Sequence, residues 1–168
     1  MDLFYILVVL IHLLAAILWL GGMFFIAIVI VPVLRRLEPP QIRIEVLSTT
    51  ARRFRIVSWI ALLVLVVTGA LNSINRGITL NIISTGVIFS THFGKVLTLK
   101  VVVVLFMLVL SSIHDFLLGP RLTELISSSK SNSDFSPAIK KYRRLVSLLA
   151  RINALLGIMI VACAVMLS

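Results

Sequence analysis

"LFYILVVLIHLLAAILWLGGMFFIAIVIV", residues 3–31, contains no residue that carries charge near neutral pH except His12. A bilayer's hydrocarbon core is about 30 Å thick and takes roughly 20 helical residues to cross. The stretch is therefore a membrane span with residues to spare. Working outward, three further apolar runs are long enough to cross, at residues 56–75, 96–118 and 145–167. The whole chain agrees: 168 residues, 60% hydrophobic and only 13% charged, far from the composition of water-soluble domains. The first run begins after Asp2 with no basic residue, is too long for a signal peptide and lacks a small-residue cleavage site, so it is expected to stay in the protein. With every hydrophilic segment short, the expectation is a single transmembrane domain over residues 1–168.

The net charge of +10 raises the question of nucleic acid, and its distribution answers it. Arg35, Arg36, Arg43, Arg52, Arg53 and Arg55 lie between the first two spans, and Arg121, Lys130, Lys140, Lys141, Arg143 and Arg144 between the last two. Only Arg76 and, beside the start of the third span, Lys95 lie between the second and third spans. By the positive-inside rule the first and third connections face the cytoplasm and both termini lie outside. Topology accounts for the charge; no nucleic-acid partner is expected, and the partner is the lipid bilayer with its anionic headgroups. Cys163, the one cysteine, sits inside the last run, so neither a disulfide nor a paired-thiol metal site can form within the chain.

Punctuation along the chain suggests the rest of the architecture. Pro32 and Pro39-Pro40 are expected to end helical continuity after the first span. "QIRIEVLSTTARRFR", residues 41–55, reads either as a short helix in the headgroup zone or as an extension of the second span. "NRGITLNIISTGVIFSTHFGK", residues 75–95, is expected to skim the outer interface, and "SSSKSNSDFSP", residues 127–137, to be a polar linker. Small residues (Ala15, Ala16, Gly21, Gly22, Gly69, Ala70, Ala154 and Gly157) mark places where helices can approach closely. The expected fold is all-α, an antiparallel four-helix transmembrane bundle. No internal repeat is visible, which argues against a transporter built from inverted halves.

Ionisable side chains inside spans are costly and by default mark function. At about 1.5 Å per residue, His12 lies roughly 13–14 Å below the outer boundary and Lys100 roughly 10 Å below it, so the two could meet. His92 lies at the outer mouth of the third span, about 12 Å above His12, and could shape the rim. His114 lies about 21 Å deeper than Lys100 and, with Asp115, belongs to the cytoplasmic side. His12, Ala16, Trp19 and Met23 form one stripe of the first helix. That stripe is either plain packing, with His12 hydrogen-bonded to a neighbouring helix, or the wall of a cofactor slot. On the second reading His12 is an axial ligand of a haem b, Ala16 and Gly22 make room, and Lys100 is a second ligand or pairs with a propionate. Lys100 could equally snorkel to the headgroups, as Lys95 does easily. Arg151, near Asn153, either anchors the last helix at the interface or binds a carboxylate or quinone oxygen.

Taken together, "HLLAAILWLGGMFF" (12–25), "RRFRIVSWIALLVLVVTGALN" (52–72), "FGKVLTLKVVVVL" (93–105) and "ARINALLGIMIVACAVML" (150–167) resemble the copper-resistance D (CopD) group of membrane proteins and, more distantly, the HemJ-type protoporphyrinogen oxidases. The resemblance rests on His12, Trp19 and Gly22, then Thr68-Gly69 and Asn72, then Gly94, Lys95 and Lys100, and covers all four spans. From the HemJ side it implies haem b, with His12 and Lys100 as required positions. From the CopD side it implies copper handling across the bacterial inner membrane. Copper(I) prefers thiolate and thioether ligands, yet the methionines at 23, 107, 159 and 166 form no close pair and Met23 lies about 16 Å deeper than His12.

The sequence thus leads to a multi-pass protein of the bacterial plasma membrane with one haem b in its outer half. It would pass single electrons to or from a quinone or a partner redox subunit, with other membrane subunits or further copies of the chain as possible neighbours. Copper uptake and a cofactor-free structural subunit are the alternatives.

Overall fold

The computed structural model describes residues 3–78, 85–128 and 137–166. Among these residues every regular element is helical, and four helices, Leu3–Leu34, Ile42–Asn75, His92–Leu125 and Pro137–Met166, are long and apolar enough to cross a membrane. All four expected spans are present, each longer than its apolar run.

The first, α1 (Leu3–Phe25), continues through a π-helical segment (Ile26–Ile30) into α2 (Val31–Leu34). Pro32 therefore does not end the helix as expected. A proline inside an α-helix lacks its N–H and crowds the carbonyl four residues back; a widened turn immediately before it relieves that crowding. The chain turns through Arg35–Leu37 on backbone bonds from Arg36 to Val33 (3.0 Å) and from Leu37 to Leu34 (3.2 Å). Extended Pro39 then precedes α3 (Pro40–Asn75), whose first residue is a proline with its φ already helical. Residues 41–55 are the start of this helix, so the extension is the form they take. It stops at Gly77, whose φ of +80° follows from its lack of a Cβ. Ile78 N–H bonds to Ser73 O (3.1 Å) and Gly77 N–H to Ile74 O (2.9 Å), closing the last turn as a Schellman motif.

A 3-10 turn (Val87–Ser90) leads to α4 (His92–Ser112), capped by the Thr91 hydroxyl accepting from Gly94 N–H at 3.0 Å. A second π-helical segment (Ile113–Leu118) joins α4 to α5 (Gly119–Ser128), and α6 (Pro137–Met166) completes the chain. Of the outer connection, residues 79–84 lie outside the described residues, as do residues 129–136 of the expected polar linker.

The chain forms two units, Met1–Val87 and Ile88–Ser168. In the first, α1 packs on α3, burying Val8, Ala15 and Trp19 on one side and Ser58, Ala61, Leu62 and Thr68 on the other. In the second, α4 packs on α6, with Val96, Val103, Met107 and Ser111 buried on α4 and Ile139, Asn153, Gly157 and Cys163 on α6. Only 17–22% of the most apolar stretch of each span is buried, and the outward residues include Leu3, Ile17, Leu63, Leu105 and Val165. Water would not tolerate so much exposed hydrocarbon; a bilayer does. These are the features of a multi-pass membrane protein.

Candidate functional site

In the α1–α3 seam of the first unit a polar cluster is built on His12. The imidazole lies against the backbone of α3 at Gly69, where an added Cβ would come 3.5 Å from its Cε1. Glycine at 69 lets the ring approach the helix. Its Nδ1 is 2.7 Å from Thr68 Oγ1, and Thr68 is 6% exposed.

The bonds of the Thr68 hydroxyl favour one tautomer of His12. It has a single proton, and its oxygen lies 2.6 Å from Val64 O and 3.4 Å from Leu65 O, both of which only accept. The proton therefore points to Val64 O, and the oxygen receives its second bond from His12 Nδ1–H. A neutral imidazole protonated at Nδ1 carries its lone pair at Nε2, the form in which histidine binds a metal. A ring nitrogen held in this way by a neighbouring oxygen is the usual second layer of support around a metal-binding histidine. One turn beyond Thr68 on the same face of α3, Asn72 buries an Oδ1 that accepts no hydrogen bond. A buried acceptor without a donor costs about 1–3 kcal/mol. The seam thus gathers an imidazole, a hydroxyl and a buried amide oxygen on neighbouring turns.

The other sequence candidates fall in different places. Trp19 is buried in the α1–α3 seam and packs it. Gly22 is also in the seam, but the room expected there is already filled: a Cβ at 22 would collide with the Phe54 ring. That part of the seam cannot admit a flat cofactor. Lys100, half-buried on α4, and His92, exposed at the first position of α4, belong to the second unit. Arg151 is exposed on α6, in a shallow groove with Lys140, Arg143, Arg144, Ser147 and Leu148. Asn153, two residues on and about 200° round the helix, is buried. The two do not form an inward-facing pair. Among the described residues no three His, Cys, Asp or Glu side chains converge to hold a metal.

Thr68 and Asn72 are the site residues that a search for ionisable groups passes over. Their signal in the sequence is two hydrogen-bonding side chains four apart in an otherwise apolar run.

No curated protein and no solved structure matches the chain. The family model described as copper resistance protein D matches residues 48–167, well over half the chain. The matched stretch takes in Thr68, Gly69 and Asn72 and begins after His12. With four membrane-length helices and that match in place, the chain belongs to the copper resistance protein D family.

Proposed function

We propose that the protein handles copper within a bacterial plasma membrane, taking the ion as cargo at His12. The observation that carries this reading is the 2.7 Å contact between His12 Nδ1 and the Thr68 hydroxyl, which holds the imidazole in the α1–α3 seam of a copper resistance protein D family member. Imidazole nitrogen suits copper in both common oxidation states. Asn72 Oδ1 supplies a second lone pair on the same seam. One imidazole and neutral oxygens hold a metal loosely. Loose binding suits cargo in transit, which must be taken up and then released. In the orientation set by the basic connections, with both termini outside, His12 lies in the outer half of the bilayer.

A resident haem b with His12 as axial ligand is the second reading. It is favoured by the fact that a porphyrin supplies four of the iron's donors, so one imidazole of this tautomer is enough. The residues of the α1–α3 seam do not fit the ring itself, because Phe54 fills the space at Gly22 and the imidazole fills that at Gly69. Electron exchange with a quinone or partner subunit would belong to this reading.

One preparation tests both. The purified protein is titrated with copper and examined as a pyridine haemochrome. Saturable copper binding that disappears in His12→Ala, without b-type bands, is the expected result. Equal copper binding by wild type and His12→Ala refutes the copper reading, and a haemochrome at one equivalent per chain that is lost in His12→Ala replaces it with the haem reading.

A further inference from the structure

A strongly basic face that the reading above does not use runs along α6. Lys140, Arg143, Arg144, Ser147, Leu148 and Arg151 line one shallow groove. Their alternating spacings of three and one keep them on a single face of the helix. Lys140, Arg144 and Arg151 are exposed along it and form no ion pair among the described residues. The first turn of α6 holds no acidic residue, so its N-terminal N–H groups and the positive end of its dipole add to the same field. α5 packs on α6, and its Glu124 is bonded to Arg121 at 3.0 Å. Four cations thus share a face whose lining contains no carboxylate.

Depth decides which anion belongs there. α6 has 30 residues, about 45 Å at 1.5 Å per residue, against a hydrocarbon core of about 30 Å. Its apolar run starts at residue 145. Arg143 and Arg144 therefore lie at headgroup level, and Arg151 lies about 9 Å inside the edge of the run. A guanidinium at that depth is costly unless it draws back towards the headgroups or meets an anion. Arg144 and Arg151 are seven residues apart, about 20° short of two full turns. Their side chains leave the helix in nearly the same direction, about 10 Å apart along its axis. Ser147 lies between the two levels and adds a hydroxyl donor. The planar fork of arginine matches phosphate oxygens. Beyond Arg151 the same face continues as exposed Leu155 and Ile158, hydrocarbon on which an acyl chain can lie.

We propose that this face of α6 is a site for one anionic phospholipid of the leaflet where the helix begins, with its phosphate between Arg144 and Arg151 and an acyl chain along Leu148 and Leu155. Lys140 and Arg143 repel a quaternary ammonium beside that phosphate, so the site selects phosphatidylglycerol over phosphatidylcholine. It stands whether or not His12 takes copper.

Full-length protein stripped of lipid in a neutral detergent is titrated with phosphatidylglycerol and with phosphatidylcholine of the same chains, and native mass spectrometry counts the lipid bound. One phosphatidylglycerol is expected to bind wild type ahead of any phosphatidylcholine. Its affinity should fall about fivefold in Arg144→Gln and in Arg151→Gln, the share of one cation near a membrane surface. It should be unchanged in Arg52→Gln, an equal loss of charge at an exposed position of α3. Arg144→Gln carries the test where Arg151→Gln does not fold. Equal binding of the two lipids by wild type, or the same loss in Arg52→Gln as in the α6 variants, overturns the site and leaves only a general attraction to charged headgroups. Displacement of the bound lipid by an equal concentration of glycerol phosphate overturns it in favour of a soluble anion.

Discussion

Replacing Thr68 by valine exchanges a hydroxyl for a methyl of nearly the same size, in a residue that remains β-branched and equally suited to its helix. What changes is the other end of the 2.7 Å contact. His12 Nδ1–H would then face hydrocarbon at a position where Thr68 is 6% exposed, so water cannot replace the lost acceptor. An unmet buried N–H costs about 1–3 kcal/mol. The imidazole can avoid that cost by moving its proton to Nε2, which converts the metal-binding nitrogen into a donor. Since 1.4 kcal/mol is a factor of ten in affinity, restoring the binding tautomer weakens copper binding about 5–150-fold. Thr68→Ser keeps the acceptor oxygen and is expected to bind as wild type. Copper titration gives the affinity, and nitrogen-15 chemical shifts of His12 show which ring nitrogen carries the proton. Wild-type affinity in Thr68→Val, with Nδ1 still protonated, would refute the reasoning.

Other substitutions probe the seam and the helix ends. Gly22→Ala forces the Phe54 ring aside and should cost about 1–3 kcal/mol of stability; Phe54→Leu in the same chain should recover most of it in thermal unfolding in detergent, and additive losses would show that the ring is not the obstacle. Gly69→Ala adds a Cβ at an ordinary 3.5 Å from His12 Cε1 and should leave copper binding intact, whereas Gly69→Leu should displace the imidazole and abolish it. Gly77→Ala puts a side chain at φ +80° and should lower stability by about 1–2 kcal/mol; an unchanged melting temperature would remove the Schellman motif as the reason for glycine there.

The number of spans and their apolar cores were legible because hydropathy over some 20 residues reports directly on a solvent that cannot satisfy backbone groups. His12 was legible for the same reason, as the one costly residue in residues 3–31. The partner of that histidine was not. Thr68 and Gly69 stand 56 and 57 positions away, and hydropathy says nothing about which face of one helix meets another. Gly22 showed why small residues alone mislead: glycine at a helix interface marks a close approach, and here what approaches is the Phe54 ring. Pro32 misled in the opposite direction, since its effect on a helix depends on whether the preceding turn can widen, and residues 26–30 do so. The lone-pair balance at Asn72 depends on which hydrogen bonds form after packing, and no sequence pattern contains it.

The central claim is that His12 Nε2 takes copper in the membrane. X-ray absorption at the copper edge, on copper-loaded wild-type protein and on His12→Ala treated in the same way, isolates that residue. Imidazole scattering is expected in the first sample, and its loss, with the bound copper, in the second. The same imidazole signal and copper content in both would contradict it.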